Sequence, residues 1–224
     1  KNLISQVIRS KADVGFAFDG DADRLIAVDE KGNEVDGDQI MAIYANAFLK
    51  KGILGNNLIV TTHMSNLGFD ETIEKIGGKV IRTDIGDKNV LRKMLEENAA
   101  LGGEQSGHII FLKNSPNGDG IVTSLKLLEA LSSSNKRISL QASIMKKYHQ
   151  KLLNYDIVDK EAMLNSEEYS VIKNDIQNMI SGKGRVFIRP SGTEKKIRVL
   201  LESKDKNIID KCKNNFDEFM KKYE

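Results

Sequence analysis

The stretch NNLIVTTHMSNLGFDETIEKIGGKVIRTDIGDKNVLRKMLEE, residues 56–97, decides the fold. NNLIVTT is a short, nearly continuous apolar run of the kind that becomes a strand covered on both faces. A short helix is predicted around Gly68–Ile76, stopped by Gly77-Gly78, because glycine readily takes the left-handed backbone that closes a helix. KVIRTD repeats the strand pattern, and Asp87 is the expected N-cap of a helix over KNVLRKMLEE. Strand, helix, strand, helix is the rhythm of a parallel sheet with crossover helices, so the fold class is α/β.

The rhythm extends both ways. Upstream, Leu3, Ile4, Val7 and Ile8 make an amphipathic stripe, followed by DVGFAF (13–18), read as a strand buried on both faces. LIAVD (25–29), the polar turn EKGNE (30–34) and a helix from Asp38 to about Lys50 come next. Downstream, HIIFL (108–112) reads as a strand after a glycine-rich loop. GRVFIRP (184–190) and KKIRVLLES (195–203) read as neighbouring strands before a Lys-rich amphipathic helix, 206–223. These last elements predict a separate small α+β domain, with a linker near 147–155. The chain opens at Lys1 without Met, and a strand buried on both faces needs more neighbours than one preceding helix. The sequence is therefore expected to be cut from a longer protein.

Composition excludes several classes of function. The 224 residues are 40% hydrophobic, with Lys+Arg (34) balancing Asp+Glu (32), which argues against disorder. A net charge of +2 leaves no basic footprint for nucleic acid or a membrane surface. One cysteine, Cys212, makes no internal disulfide, and three histidines build no Cys/His zinc cluster. No apolar run approaches the ~18 residues of a membrane span. A soluble, cytoplasmic protein is the expectation.

Three loops carry chemistry. Asp19-Gly20-Asp21-Ala22-Asp23-Arg24 sets three carboxylates within five residues between two apolar strands. Such groups repel one another unless a cation gathers them, and hard oxygen donors suit Mg²⁺ or Ca²⁺ rather than Zn²⁺. A solvated acidic turn is the other reading. An EF-hand is excluded, because its sixth position requires glycine and is Arg24 here, and its flanks require helices. Gly102-Gly103-Glu104-Gln105-Ser106-Gly107-His108 combines close backbone approach with an acceptor, Glu104, and a hydroxyl, Ser106, a set that suits neighbouring sugar hydroxyls. His108 is a candidate for proton transfer; a tight turn with a hydrogen-bonded histidine fits equally well. Arg189-Pro190-Ser191-Gly192-Thr193-Glu194, with Arg198 beyond it, has the hydroxyls, backbone N–H groups and guanidinium groups of a phosphate cradle. An ordinary hairpin turn remains open for it. Neither GxxxxGK[ST] nor GxGxxG occurs in the chain. Metal, polyol and anion loops together are what phosphoryl transfer on a sugar phosphate needs, although no serine nucleophile beside a base is evident.

The three loops resemble those of the α-D-phosphohexomutases: FAFDGDADR (16–24) the metal-binding loop, GGEQSGH (102–108) the sugar-binding loop, and RPSGTE-x-x-IRV (189–199) the phosphate-binding loop. GNEVDGDQIMAIYA (32–45), THMSNLGF (62–69) and GDGIVTSLKLLEAL (118–131) resemble the branch of that family acting on glucosamine phosphates. The resemblance implies mixed-sheet α/β/α domains, one truncated and one complete, followed by a small α+β domain. Residues 1–37 would close the second of four domains, 38–149 form the third and 150–224 the fourth, the phosphoserine of the first being absent. It implies interconversion of glucosamine 6-phosphate and glucosamine 1-phosphate through a 1,6-bisphosphate, toward UDP-N-acetylglucosamine. The alternative is a phosphomannomutase/phosphoglucomutase, or a binding fragment without turnover. By the same resemblance Asp19, Asp21 and Asp23 would hold Mg²⁺, with Arg24 near the phosphoryl group and His108 assisting proton transfer. Glu104 and Ser106 would bind sugar hydroxyls; Arg189, Ser191, Gly192, Thr193 and Arg198 the non-reacting phosphate. RTDIGDKNV (82–90) adds Arg82, Asp87 and Lys88 as secondary candidates. The sequence departs from the family pattern at Lys195, usually proline, and at Lys88, commonly arginine, where bidentate geometry is lost. The partner implied is a small sugar phosphate; monomer and dimer both stay open.

Overall fold

The computed structural model describes residues 2–192 and 194–223, which fall into two units divided between Lys147 and Tyr148. In the first unit, helix α1 (Asn2–Ser10) turns Val7 inward against a three-stranded antiparallel sheet, β1 (Val14–Phe18), β2 (Leu25–Asp29) and β3 (Glu34–Val35), in that spatial order. Val14 pairs with Asp29 and Phe18 with Leu25, so β1 and β2 form a hairpin whose loop is Asp19–Arg24. The expected burial of DVGFAF on both faces is corrected here. Among the described residues β1 ends its sheet, and Phe18 is 44% exposed. Antiparallel sheets can leave one face wet. The buried strand is its partner β2, where Leu25 and Ala27 face the core and Val28 is buried on the other face. The turn after β2 is closed by Asp29, whose Oδ1 accepts the N–H of Lys31 (2.9 Å) and of Asn33 (2.7 Å).

The α/β layers follow. Helix α2 (Gly37–Lys50) is capped by Asp36 and buries Ile40, Met41, Ile43 and Tyr44. Then come β4 (Leu58–Thr62), α3 (Leu67–Lys75), β5 (Lys79–Thr83), α4 (Asp87–Glu97), β6 (Leu101–Gly103), β7 (Ile109–Phe111), α5 (Gly120–Ser134) and α6 (Ile138–Ala142). The sheet order is β5-β4-β6-β7; β4 runs parallel to β5 and β6, and β7 antiparallel to β6. Alternate β4 residues face opposite layers: Ile59 joins the core with α2 and α3, while Leu58 and Val60 pack with Val90 and Met94 of α4. Helices on both faces explain the unbroken apolar run. Two local expectations are corrected. Gly86, not Asp87, is the cap residue of α4, because its N–H is drawn to Glu104 Oε1 (3.1 Å) and Asp87 is already helical. The glycine-rich stretch is not all loop, since Leu101–Gly103 pairs with both β4 and β7.

The second unit orders β8 (His149–Asp156), then, after α7 (Lys160–Leu164) and α8 (Glu167–Ile180), β9 (Gly184–Pro190) and β10 (Lys196–Ser203), with α9 (Lys206–Met220) last. β10 lies between β8 and β9, antiparallel to both, and buries Ile197, Val199 and Leu201 against Ile176, Ile209 and Phe216. The predicted linker at 147–155 is therefore a strand. Its Leu153 and Tyr155 pack inward while Leu152 stays half exposed, and the wet face gave the segment a linker-like composition.

Candidate functional site

The β1–β2 loop curls through Ala22, whose φ is +59°. Its backbone is tied at Ala22 N–H to Asp19 O (3.3 Å), at Arg24 N–H to Asp19 Oδ1 (3.2 Å), and at Gly120 N–H to Ala22 O (2.9 Å). In that curl one carboxylate oxygen from each of Asp19, Asp21 and Asp23 lies within 4.8 Å of the others. Arg24 Nε sits 3.6 Å from Asp19 Oδ2 and 3.7 Å from Asp23 Oδ1, on a half-exposed side chain. Burial pushes the Asp19 carboxyl up, but the Arg24 backbone N–H and the Arg24 charge bring it below its ordinary value. Asp23 uses Oδ2 on His108 Nδ1 (3.0 Å), while its Oδ1 is buried without a hydrogen bond.

The β6–β7 loop is stitched to the same strand, for Leu25 N–H donates to Gly107 O (3.1 Å) and Arg24 bridges His108. Glu104 accepts the Gly86 N–H on Oε1 and the Ser106 hydroxyl on Oε2 (3.3 Å). Both side chains line a cavity of about 500 Å³ shared with Glu34, Asp36, Thr62 and Ile85. His108 lies at the edge of this site, hydrogen-bonded on both ring nitrogens. Its side chain is 7% exposed, and its second nitrogen, Nε2, accepts the Gly118 N–H (3.2 Å). A larger cleft of about 580 Å³ lies between α8 and α9 of the second unit, but Glu167, Glu168, Asp175 and Glu218 line it and would repel a phosphate.

Arg82 is held within the fold. Its Nε and Nη2 bond Asp70, Nη1 donates to Thr62 O (2.9 Å) and Ser65 O (2.8 Å), and the side chain is 14% exposed. The guanidinium holds the 62–66 turn. Lys88 is exposed in the first turn of α4, beside Asp87.

The run Asp36-Gly37-Asp38 was missed as chemistry, and it organises the cavity. Asp36 caps α2 through Gln39 N–H (3.1 Å) and pairs with Lys147 Nζ (2.8 Å). Gly37 donates its N–H to Gln105 O (3.1 Å); a Cβ there would overlap Glu104 O and lie 2.8 Å from Gly107 N, so only glycine admits the loop. Asp38 is fully buried, accepts the Asn66 N–H on Oδ2 (2.8 Å) and leaves Oδ1 without a hydrogen bond. Burial, then the Asp36 charge, push its carboxyl up to about 7. Two aspartates around a glycine ahead of an apolar helix were the available signal, but they read equally as a cap.

In the second unit, the β9–β10 hairpin sets Arg189 directly opposite Arg198. Burial, then the Arg198 charge, hold the Arg189 guanidinium below its ordinary value. Arg198 Nη2 donates to Glu194 Oε2 (2.6 Å), while its Nε is buried without a hydrogen bond. Ser191 is buried, its N–H on Lys196 O (2.8 Å), and its Oγ accepts the Glu194 N–H (3.3 Å). Gly192 is open, and Thr193 lies outside the described residues. Lys160, which carried no motif, clamps the loop by donating to Ser191 O (2.8 Å) and Glu194 O (3.1 Å). Like charges directly opposite one another on adjacent strands are destabilising. The arrangement suits an anion bound by both guanidinium groups.

Comparison with known proteins matches residues 36–148 to the phosphoglucomutase/phosphomannomutase α/β/α domain III and residues 152–219 to the C-terminal domain of the same family. A phosphoglucosamine mutase of Acetivibrio thermocellus is 51% identical over 207 residues, covering 92% of this chain and 46% of that protein. A phosphoglucomutase/phosphomannomutase family protein of Burkholderia thailandensis has a crystal structure similar at TM-score 0.76 and 20% identity, over 97% of this chain and 48% of that one. An N-acetylphosphoglucosamine mutase of Aspergillus fumigatus, solved with GlcNAc-6P and magnesium, gives 0.73 at 22% identity over 92% and 48%. The last two share the fold. The chain spans about half the length of the relatives it matches.

Proposed function

The chain belongs to the phosphoglucomutase/phosphomannomutase family, and on that premise we propose that it serves in the interconversion of glucosamine 6-phosphate and glucosamine 1-phosphate. The observation that carries the reaction class is the opposition of Arg189 and Arg198, with a buried Arg198 Nε left over, a geometry that calls for a phosphate. The amino sugar is favoured by the 51% identity to a phosphoglucosamine mutase.

Each residue then takes a role. Arg189, Arg198, Ser191, Gly192 and Thr193 hold the phosphate that does not react, and Lys160 fixes the loop that carries them. Glu104 and Ser106 orient sugar hydroxyls, and Lys88 is an outlying cation for the substrate. Asp19, Asp21 and Asp23 fit Mg²⁺: all are hard oxygen donors, they converge within 4.8 Å, and Asp23 Oδ1 is buried with an unused lone pair. Magnesium is named among the ligands of the Aspergillus fumigatus relative; when bound, it neutralises charge on the transferring phosphoryl group. Arg24 adds a guanidinium beside that group. In the reaction a phosphoserine gives its phosphoryl group to one sugar oxygen, forming the 1,6-bisphosphate, and the opposite phosphate returns to the serine. The cradle must accept either end of the sugar, and several small donors around Gly192 suit that. The matched segments correspond to the third and C-terminal domains, so this chain alone is expected to bind cation and sugar phosphate without turnover. Among the described residues no helix is long and apolar enough to cross a membrane.

The test is calorimetric titration of the chain with glucosamine 6-phosphate, glucose 6-phosphate and mannose 6-phosphate in magnesium. The proposal expects binding, tightest for the glucosamine ester. Preference for mannose 6-phosphate or glucose 6-phosphate would move the reading to phosphomannomutase/phosphoglucomutase activity, and turnover by the purified chain would refute its dependence on a separate donor.

A further inference from the structure

We propose that Asp38 and Thr61 are positioning residues for the sugar cavity: they form a buried polar bridge that fixes the turn between β4 and α3 against the loop carrying Glu104 and Ser106. The inference rests on the reading of Glu104 and Ser106 as the pair that orients sugar hydroxyls.

The bridge is built from both ends. Thr61, in β4, donates its hydroxyl to Gly103 O (2.8 Å), the carbonyl immediately before Glu104. The same oxygen meets the Ser65 hydroxyl across the turn. Asp38 closes the other end. Its Oδ2 accepts the Asn66 N–H (2.8 Å), and the Ser65 hydroxyl is a further hydrogen-bond partner of the carboxyl. Asp38, Thr61, Ser65 and Asn66 are each no more than 1% exposed. In surroundings so dry a hydrogen bond is stronger than in water, and losing it strands a polar atom.

The segments so joined are the ones that make the cavity. Thr62 and Met64 of the turn line it together with Glu104, Gln105 and Ser106 of the loop. Residues 37 and 38 grip both at once, for the Gly37 N–H holds Gln105 O (3.1 Å) while Asp38 holds the Asn66 N–H. Arg82 takes the carbonyl oxygens of the same turn, at Thr62 and Ser65. Asp38 thus supplies the acceptor for the turn and Arg82 the donors. Asp38 and Thr61 have no exposed surface, so they act only through the segments they hold. An uncharged carboxyl is enough for the Asn66 contact, and burial, then the Asp36 charge, favour that form. Asparagine is therefore a faithful substitute at position 38, and leucine, of similar size, is not.

The experiment measures by calorimetric titration the affinity of the chain for glucosamine 6-phosphate and for inorganic phosphate. The variants are Thr61→Val, Asp38→Asn, Asp38→Leu, and Thr61→Val combined with Asp38→Leu; thermal melts check folding. The ratio of the two affinities isolates the sugar loop, because the proposed phosphate cradle lies in the other unit. Valine keeps the shape of threonine without its hydroxyl. The proposal expects the ratio to fall about 2–10-fold in Thr61→Val and in Asp38→Leu, the size of one net hydrogen bond, with phosphate affinity unchanged. Asp38→Asn should keep the ratio within about twofold of wild type, and the double variant should lose less than the product of the single losses, as members of one network do. An unchanged ratio in Thr61→Val, a ratio in Asp38→Asn as low as in Asp38→Leu, single losses that multiply in full, or an equal fall in phosphate affinity would overturn it. If Asp38→Leu does not fold, Thr61→Val and Asp38→Asn decide: no change in the first, or more than about a twofold fall in the second, counts against the proposal. Wild type that binds glucosamine 6-phosphate no more tightly than inorganic phosphate would refute the reading of the sugar loop itself and carry this inference down with it.

Discussion

Removing Arg189 should stabilise the chain while abolishing its response to phosphate. Arg189 faces Arg198 across the β9–β10 ladder, and burial, then that neighbouring charge, lower its proton affinity. Like charges placed opposite on adjacent strands cost roughly 0.2–1 kcal/mol. Arg198 is 33% exposed and shared with Glu194, which screens the repulsion toward the lower part of that range, about 0.5 kcal/mol. Arg189→Met keeps the aliphatic stem and removes the charge. For a chain of this length 1 kcal/mol moves Tm by roughly 2–4 °C, so the variant should melt about 1–2 °C higher than wild type in low-salt buffer without phosphate. Saturating phosphate reverses the order. At a hundred times its Kd a ligand adds about 2.7 kcal/mol, or roughly 5–10 °C on the same conversion, and only wild type should gain it. The assay is scanning calorimetry of both chains across a phosphate series at constant ionic strength. An Arg189→Met protein that melts well below wild type without phosphate would show that the guanidinium is a structural group. One that rises with phosphate as wild type does would remove the hairpin from the phosphate site.

Two further outcomes follow from groups around the cavity. Gly37→Ala should destabilise the first unit by about 3 kcal/mol or more, because overpacking against backbone leaves little to relax; the new methyl overlaps Glu104 O and crowds Gly107 N. Urea unfolding checks it, and a loss under 1 kcal/mol would mean that the 104–107 loop moves aside freely. Asp38→Asn should flatten the pH dependence of stability. Burial and the Asp36 charge raise the Asp38 carboxyl from 3.8 to about 7, so between those values the folded chain holds a proton that the unfolded chain has released. Stability therefore falls as pH rises from about 4 to 7, and a shift of about three pH units corresponds to about 4 kcal/mol at most. Urea midpoints at pH 5 and 7.5 should diverge between wild type and variant, and parallel curves would refute the assignment.

The sequence was most legible where function and geometry are local. The apolar run 58–62 declares a doubly covered strand because its alternate residues, Ile59 against Leu58 and Val60, feed two different cores. The three loops stand out because each concentrates one chemistry in a few consecutive residues. What escaped is what depends on partners far along the chain. β8 looked like a linker because an edge strand needs apolar residues on one face only. Arg82, Asp38 and His108 have partners at positions 62–70, 65–66, and 23 with 118, which their own neighbourhoods do not name. A guanidinium whose donors are all taken by Asp70 and by carbonyl oxygens is spelled like one waiting for phosphate. The discriminating quantity is the hydrogen-bonding capacity left over after folding. In the loops read as ligand sites, capacity remains: Asp23 Oδ1 and Arg198 Nε are both buried and unmatched. Arg82 and His108 are engaged by partners within the fold. Buried polar atoms without partners are destabilising in an empty protein; those at the two loops are the atoms that the proposed cation and anion would complete, while Asp38 Oδ1 and Gln39 Oε1 share the condition without such a loop.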